Sequence, residues 1–498
     1  MVEPLVGVVG LPVDQTKFLL IVLLSYPLGF GFRLLPTAQL KHLYSSGIGL
    51  FFMFFCFGYV GWVHFFATSL FIYASFFLVP PQYLPKLAFF FLFIYLSSLH
   101  IYRMIIDYMG YSMDTTALMM VLIVKLSILA CNYSDGVKEK QEKELLTQIS
   151  RENAISVVPG FLEYISYLAW FPTMLSGPAF HFTHYKNWIE NQHHVPSPWR
   201  QTGLVFLSAL LHGGLYVFLT QKFPVEICFV PHGMDHMPFI SKFFYIWIAT
   251  FGVRNKYYFI WKLTEGSGVL SGLGYGGVDE SGNPKWDRLT NIEVWKVESC
   301  TAARDISTFW NSKTGDWLKN YIYFRQSKNP ASGSVPTYAL YLTNTASAFW
   351  HGFYPGYYLS FVFTAITVDL SRQVHSFMRP YVESSERAKQ IGEYLSRLIA
   401  IITLNYGFLS FIGLSMDRSL NAFRSVGYFG HITVFLIYVG LYVAKRIIKK
   451  PRTPKAQTDN TPIPSSLPSS APSSEPPSSI PTEGSPEPSP EPEKLKNE

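Results

Sequence analysis

Charge is scarce in this 498-residue chain: Asp, Glu, Lys and Arg make up 15% of it, against 49% hydrophobic and 17% aromatic residues. A string of soluble domains carries about a quarter charged residues, so that class is excluded as the first reading and an integral membrane protein takes its place. Cysteine is nearly as sparse. Cys56, Cys131, Cys228 and Cys300 lie far apart and form no CxxC pair, which excludes a disulfide framework and a zinc site and leaves four buried thiols. The formal charge of +7 is small for this length, and the basic residues fall between apolar runs. That distribution suits lipid headgroups and gives nucleic acid no footprint. No basic n-region precedes the first apolar run, because Met1 to Gln15 carries Glu3 and Asp14, so Phe18 to Leu35 reads as a retained helix rather than a cleaved signal. The glycine-rich stretch from Gly266 to Lys285 lacks a following Gly-Lys-Ser/Thr and a preceding strand pattern, which makes it a flexible loop rather than a nucleotide cradle.

What the chain does have is apolar runs: Phe18 to Leu35, Ile48 to Phe66, Ser69 to Val79, Leu87 to His100, Ala117 to Cys131, Phe161 to Ser176, Gly203 to Leu219, Phe239 to Val253, Pro336 to Leu370, Leu398 to Ile412 and Phe429 to Val443. Each suits a span of about 20 residues or a shorter helix inside a bundle. Short links such as Val79-Pro80-Pro81 predict tightly packed neighbours. Arg103 and Asp107, four apart, are placed to pair on one helix face. From Asn132 to Glu152 the chain is hydrophilic, with Asp135-Gly136 as a turn signal, and reads as a solvated loop or surface helix. Asn132-Tyr133-Ser134 matches a glycosylation acceptor, but the lysines after it point to the cytosolic side and no glycan is predicted. Arg254 to Lys262 interleaves basic and aromatic side chains, a composition suited to a membrane interface. Lys445-Arg446-Ile447-Ile448-Lys449-Lys450 predicts a cytosolic C-terminus. Beyond Pro451 the composition is Pro, Ser, Thr, Glu and Lys, which cannot bury a core. The expected organisation is therefore an N-terminal segment 1–16, a membrane domain 17–450 and a disordered tail 451–498.

Histidines and one asparagine hold the chemistry. His181, His184, His193 and His194 share one short polar loop, whereas membrane iron sites need several such clusters at separate helix ends, so no metal is assigned. His212, beside Gly213 and Gly214, reads as a helix-packing residue. His351 is different, because it lies in an almost uncharged run broken by Gly352, Pro355 and Gly356. Those breakers predict an interrupted helix lining a cavity, with Thr343, Asn344, Thr345 and Ser347 as its polar approach. Upstream, Trp286 to Ser327 mixes Trp310, Trp317, Tyr321, Tyr323 and Phe324 with Arg304, Lys313, Lys319 and Arg325. The mixture suits short helices in the interface, or rings and cations for an anionic, adenine-bearing cosubstrate. An ester made from an alcohol and a thioester needs a base for the hydroxyl proton and a polarised carbonyl. His351 can supply the first; Asn311 can supply the second or orient the imidazole. A transporter with His351 as proton relay, a metal-dependent lipid oxidase, and simple helix packing are the rival readings.

Phe309 to Leu318 (Phe-Trp-Asn-Ser-Lys-Thr-Gly-Asp-Trp-Leu), followed by Tyr321-Ile322-Tyr323, together with Ser347 to Tyr357 (Ser-Ala-Phe-Trp-His-Gly-Phe-Tyr-Pro-Gly-Tyr), resembles the signature of the membrane-bound O-acyltransferase family. More closely, both segments, together with Ser176-Gly177-Pro178 and Lys256-Tyr257-Tyr258 upstream, are similar to its lysophospholipid acyltransferase branch. The resemblance covers roughly Lys17 to Lys450. It implies an all-α polytopic membrane protein of about eleven transmembrane helices around an internal tunnel. It also implies an endoplasmic reticulum location, acyl-CoA as cosubstrate with no tightly bound cofactor, and a lysophospholipid acceptor drawn from the bilayer. His351 would be the general base and Asn311 its companion, with Trp310, Lys313, Thr314 and Trp350 as candidates for the acyl-CoA pocket. A sterol, a diacylglycerol or a protein remains open as an alternative acceptor.

Overall fold

The computed structural model describes residues 10–110, 112–138, 140–191, 194–382 and 385–447. His193, Ile448 to Lys450 and the expected tail lie outside the described residues. Twelve elements position the site: α1 (Val13–Arg33), α2 (Ala38–Leu78), α3 (Leu84–Ile106), α4 (Thr115–Val137), α5 (Phe182–Glu190), α6 (Trp199–Lys222), α7 (Phe239–Ser271), α8 (Ser312–Leu318), α9 (Tyr338–His351), α10 (Pro355–Val382), α11 (Glu386–Gly413) and α12 (Phe429–Ile447). The strands among the described residues form one small hairpin, Gly277–Val278 paired antiparallel with Pro284–Lys285, inside the glycine-rich stretch. The start of that stretch is not a loop, because Gly266 to Ser271 completes α7 before Gly272 ends it at φ +99°.

Among the described residues seven helices, α1, α2, α3, α4, α6, α11 and α12, are long and apolar enough to cross a membrane. Among the remaining long helices, α7 buries Arg254, Asn255 and Glu265, and α10 carries the exposed Arg372 and Asp369, which accepts from Gln373 and Tyr438, so charged and polar residues lower the hydropathy of both. Helix α2 has 41 residues, roughly 60 Å if straight and twice a bilayer core. It is not straight. Gly58 adopts φ +62°, ψ −156° inside it, and the Trp62 indole donates to the carbonyl of Leu50 at 2.7 Å. Residues twelve apart on a straight helix are roughly 18 Å apart, so the chain folds back at Gly58. The single run expected from Ile48 to Phe66 is therefore divided there, and Ser69 to Val79 continues its second half. Hydropathy cannot see the break because glycine interrupts no apolar average.

Helix α3 shows how faces are assigned. Leu84, Ala88, Leu92, Leu96 and His100, every fourth residue, are buried, while Phe90, Ile94, Ile101 and Ile105 lie exposed on the other side. With a surface this apolar, the exposed stripe is the lipid face and the buried one packs on neighbouring helices. The expected Arg103–Asp107 pair does not form. Asp107 already lies beyond the helix at φ −143°, and the Arg103 guanidinium instead donates to Asp114 (3.0 Å), Gly110 O (3.1 Å) and Ser112 O (2.7 Å). Asp114 also caps α4 by accepting from Thr116 N at 3.0 Å.

Helix α4 is nearly all buried and runs through Asp135-Gly136 to Val137, so that dipeptide is not a turn. A Cβ on Gly136 would sit 1.9 Å from the Ile155 carbonyl, which shows why glycine is required at that crossing. Lys125, also buried within α4, donates to Tyr167 O (2.9 Å) and Leu168 O (3.4 Å), the end of the helix Phe161–Leu168. Its amine satisfies carbonyls that a helix C-terminus leaves unpaired. The core divides into one apolar cluster built largely on α1 to α4 and the segment 164–189, and a second on α10 to α12. A smaller group around Tyr258, Trp261, Ile292 and Leu404 lies with Trp310 at its margin.

Candidate active site

Asn311 occupies a left-handed conformation, φ 47°, ψ 47°, immediately before α8. Asparagine tolerates that region better than most residues, and the position turns the chain so that α8 can start. Its side chain is fixed: Asn291 Nδ2 donates to Asn311 Oδ1 at 3.0 Å, while Asn291 Oδ1 accepts from Lys313 N at 3.2 Å. Because Oδ1 is engaged, the Asn311 amide keeps its N–H donors for another partner. Trp310 is wedged among Tyr257, Tyr258, Trp261 and Phe408 at centroid separations of 5.2 to 5.6 Å.

His351 is the last residue of α9. The helix stops because Gly352 adopts φ +121° and its N–H bonds Ala348 O and Phe349 O, and Pro355 then opens α10. The interrupted helix expected from Gly352 and Pro355 is thus present. Rings hold the imidazole: Trp350 at 4.8 Å, Tyr357 at 5.4 Å, Phe361 stacked at 5.2 Å and Phe411 at 5.1 Å.

Asn311 and His351 line the same cavity, of about 410 Å³. Its wall carries Thr343, Asn344 and Ser347 from the polar approach on α9, as expected, together with the basic side chains Arg304, Lys319 and Arg372 and the acid Asp316. Trp310 and Thr314 also line it; Lys313 and Trp350 are not among its lining residues. The Trp350 indole donates instead to Met120 O at 3.0 Å, and its ring meets Trp317 at 6.1 Å. A second cavity, of about 210 Å³, is lined by His100, Arg103, Lys256, Tyr354 and Tyr357, and again by His351. His351 therefore stands where two chambers meet.

Several residues that support this arrangement, Glu298, Asn405, Asn132 and Asp135 among them, lie outside the sequence motifs around Asn311 and His351. Arg254, fully buried on α7, donates to Glu298 from Nε (2.7 Å) and Nη2 (2.8 Å), and from Nη1 to Asn405 (3.1 Å). The Tyr258 hydroxyl donates to the same Glu298 at 2.5 Å. The basic and aromatic stretch Arg254 to Lys262 thus builds a cavity wall in the interior rather than a membrane interface, because Arg254 and Tyr258 are fully enclosed. Beyond α8, the Tyr321 hydroxyl donates to Asn132 at 2.7 Å and Arg325 grips the buried Asp135. Asn132 is completely buried, consistent with the absence of a predicted glycan. His212 Nδ1 meets Asn255 Oδ1 at 2.6 Å, the helix-packing role expected of it.

His181 and His184 have their rings 5.3 Å apart near Tyr321. Burial, with His184 and Lys313 adding to it, pushes His181 down to about 3. Burial, then Arg288 and Lys313, pushes His184 down to about 4. Lys313 and Arg288 are cations and among the described residues no carboxylate opposes them, so both imidazoles are held neutral. Among the described residues no group of three or more His, Cys, Asp or Glu side chains is placed to hold a metal ion.

Residues 101–412 match the membrane-bound O-acyltransferase family, a span that contains both Asn311 and His351. The chain belongs to that family. This membrane-bound O-acyltransferase is 31% identical over 465 residues to lysophospholipid acyltransferase 1 of Arabidopsis thaliana, covering 91% of this chain and 98% of the relative. It is 30% identical over 490 residues to human membrane-bound glycerophospholipid O-acyltransferase 1, covering 92% and 94%. It is also 30% identical over 460 residues to the lysophospholipid acyltransferase of Schizosaccharomyces pombe, covering 86% of each chain. The protein is an O-acyltransferase, membrane-embedded and multi-pass.

Proposed function

We propose that this enzyme transfers a fatty acyl group from acyl-CoA to the free glycerol hydroxyl of a lysophospholipid, with His351 as general base and Asn311 assisting. The observation that carries the proposal is that His351 lines both cavities while Asn311 shares the larger one with it. A base at the wall common to two chambers can receive a thioester from one and an alcohol from the other, so the reacting atoms meet away from bulk water. The names of the relatives support the acceptor class. Arg304, Lys319 and Arg372 around the larger cavity suit a phosphate-bearing cosubstrate.

In the reaction, the imidazole of His351 takes the proton from the acceptor hydroxyl as its oxygen attacks the thioester carbon. The tetrahedral intermediate carries its charge on the former carbonyl oxygen. An Asn311 N–H can bond that oxygen; alternatively the amide orients the imidazole. Collapse breaks the carbon–sulfur bond, and the CoA sulfur recovers the proton from the imidazolium. The products are a diacyl phospholipid and free CoA. Trp310 and Thr314 are assigned to the acyl-CoA side; the same role for Lys313 and Trp350 would be indirect, through Asn291 and Met120. We also propose residence in the endoplasmic reticulum membrane with the tail cytosolic, on the basic cluster that starts at Lys445.

The test follows thiol release from oleoyl-CoA in membranes containing the protein, with a panel of lysophospholipids as acceptors. Lysophospholipid-dependent release that disappears in His351→Ala at equal expression is the expected result. Full activity in that variant would remove His351 from the chemistry, and release dependent only on a sterol, a diacylglycerol or a peptide would replace the acceptor.

A further inference from the structure

The last turn of α9 leaves its carbonyls without helical partners, as every helix end does. One of them is the carbonyl of Trp350, directly before His351. It is met by His100 of α3, whose Nε2 lies 3.2 Å away. A carbonyl only accepts, so His100 must carry its proton on Nε2, which leaves the Nδ1 lone pair free. The same ring covers the residue after His351, because a Cβ at Gly352 would lie 3.2 Å from His100 Nδ1 and 3.3 Å from Cγ. His100 therefore touches the backbone on both sides of His351. It is 7% exposed and continues the buried stripe of α3, so the ring has no alternative outward position.

We infer that His100 is a positioning residue for His351. Three constraints converge on the helix break: the indole of Trp350 is tied to Met120 O of α4, its carbonyl is tied to His100, and Gly352 is confined to φ +121° beneath the His100 ring. The rings around His351 supply packing without direction. A hydrogen bond to the adjoining carbonyl supplies direction, because it fixes the peptide plane from which the His351 side chain springs. His100 and His351 also border the same 210 Å³ chamber. His100 therefore sets where the base points into the space shared by the two cavities, without taking a proton itself. This inference rests on the assignment of His351 as the base.

The donor can be moved without emptying the site. Glutamine places an amide N–H at nearly the reach of the histidine Nε2, whereas the asparagine amide ends about one bond shorter and cannot span the gap to Trp350 O. In purified protein, His100→Gln should keep kcat within about threefold of wild type, and His100→Asn should lose tenfold or more. KM for oleoyl-CoA and for the lysophospholipid should stay within about twofold in both. Both variants should bind a non-reactive thioether analogue of acyl-CoA as wild type does, read by its stabilisation against heat, which a collapsed fold would not. Equal kcat in the two variants, whether retained or lost, would overturn the inference, as would a raised KM at unchanged kcat or failure of both to fold. A wild type inactive toward every lysophospholipid would instead defeat the proposed acceptor. The His100 comparison would then be read on acceptor-independent hydrolysis of acyl-CoA, where the same base activates water.

Discussion

Asp135→Asn should loosen the segment that carries Asn311, and the structure gives the size of the effect. Asp135 is fully buried in the last turns of α4 and meets both terminal nitrogens of Arg325, with Nη1 at 2.8 Å, and also Lys138 at 3.4 Å. Arg325 lies seven residues beyond the end of α8, so the pair ties the Asn311 region to the most deeply buried helix. Breaking one side of a buried pair costs about 3–5 kcal/mol. The Arg325 side chain keeps 22% exposure, and water relieves part of its charge, so about 2–3 kcal/mol is expected. For a chain of this size that lowers Tm by roughly 3 °C. A thiol-reactive dye reads the transition, because Cys131, Cys228 and Cys300 are buried and react on unfolding, and Cys131 lies one turn from Asp135. A cycle with Arg325→Gln and the double variant isolates the pair: the double variant should be little worse than either single one. Unchanged Tm in Asp135→Asn, or strictly additive losses, would refute the tether.

Asn311→Gly keeps the left-handed backbone and removes only the amide, whereas Asn311→Ala also adds strain of about 1 kcal/mol. Both should lose at least about a hundredfold in kcat, the loss typical of removing one transition-state donor, with Asn311→Gly less heat-stable than wild type only by the lost Asn291 bond, about 1 kcal/mol. Full activity in Asn311→Gly would show that only the turn matters. His181 and His184 make an acid-side prediction. Their native values, about 3 and about 4, lie below the unfolded value, so the unfolded chain binds more protons as pH falls beneath about 6.5 and stability is lost in that direction. At pH 5 each contributes a loss of about 2 kcal/mol. His181→Gln should therefore show a smaller fall in Tm between pH 7.5 and 5 than wild type, and an identical fall would show that His181 titrates normally.

The parts of the fold that could be read beforehand are those fixed by neighbouring residues. Gly352 and Pro355 announce the break after His351 because one needs a positive φ and the other cannot continue a helix. Helical runs were visible for the same local reason. Hidden features depend on partners far away in the chain. Asp135-Gly136 has the composition of a turn, but Arg325 neutralises the carboxylate and Ile155 fills the space over the glycine, so α4 continues through both. Arg254 looks like an interfacial cation until Glu298, 44 residues on, encloses it. Asn311 could be picked out by its motif, yet the residue that orients it, Asn291, lies twenty positions upstream of it and outside that motif.

His100 is the instructive case, because part of its role was legible. Its place in the apolar run from Leu87 reads as the polar end of a span, and the four-residue spacing with Leu84, Ala88, Leu92 and Leu96 puts it on the inward face. An imidazole on the inward face of a lipid-bathed helix needs a partner. The partner, Trp350 O, is 250 residues away and is a backbone atom, so no side-chain pattern can advertise it. Only the helix break at Gly352 leaves that carbonyl without an intrahelical donor. The glycine that makes His351 a terminal residue thus also creates the need that His100 fills, and the two histidines are linked through the Trp350 carbonyl.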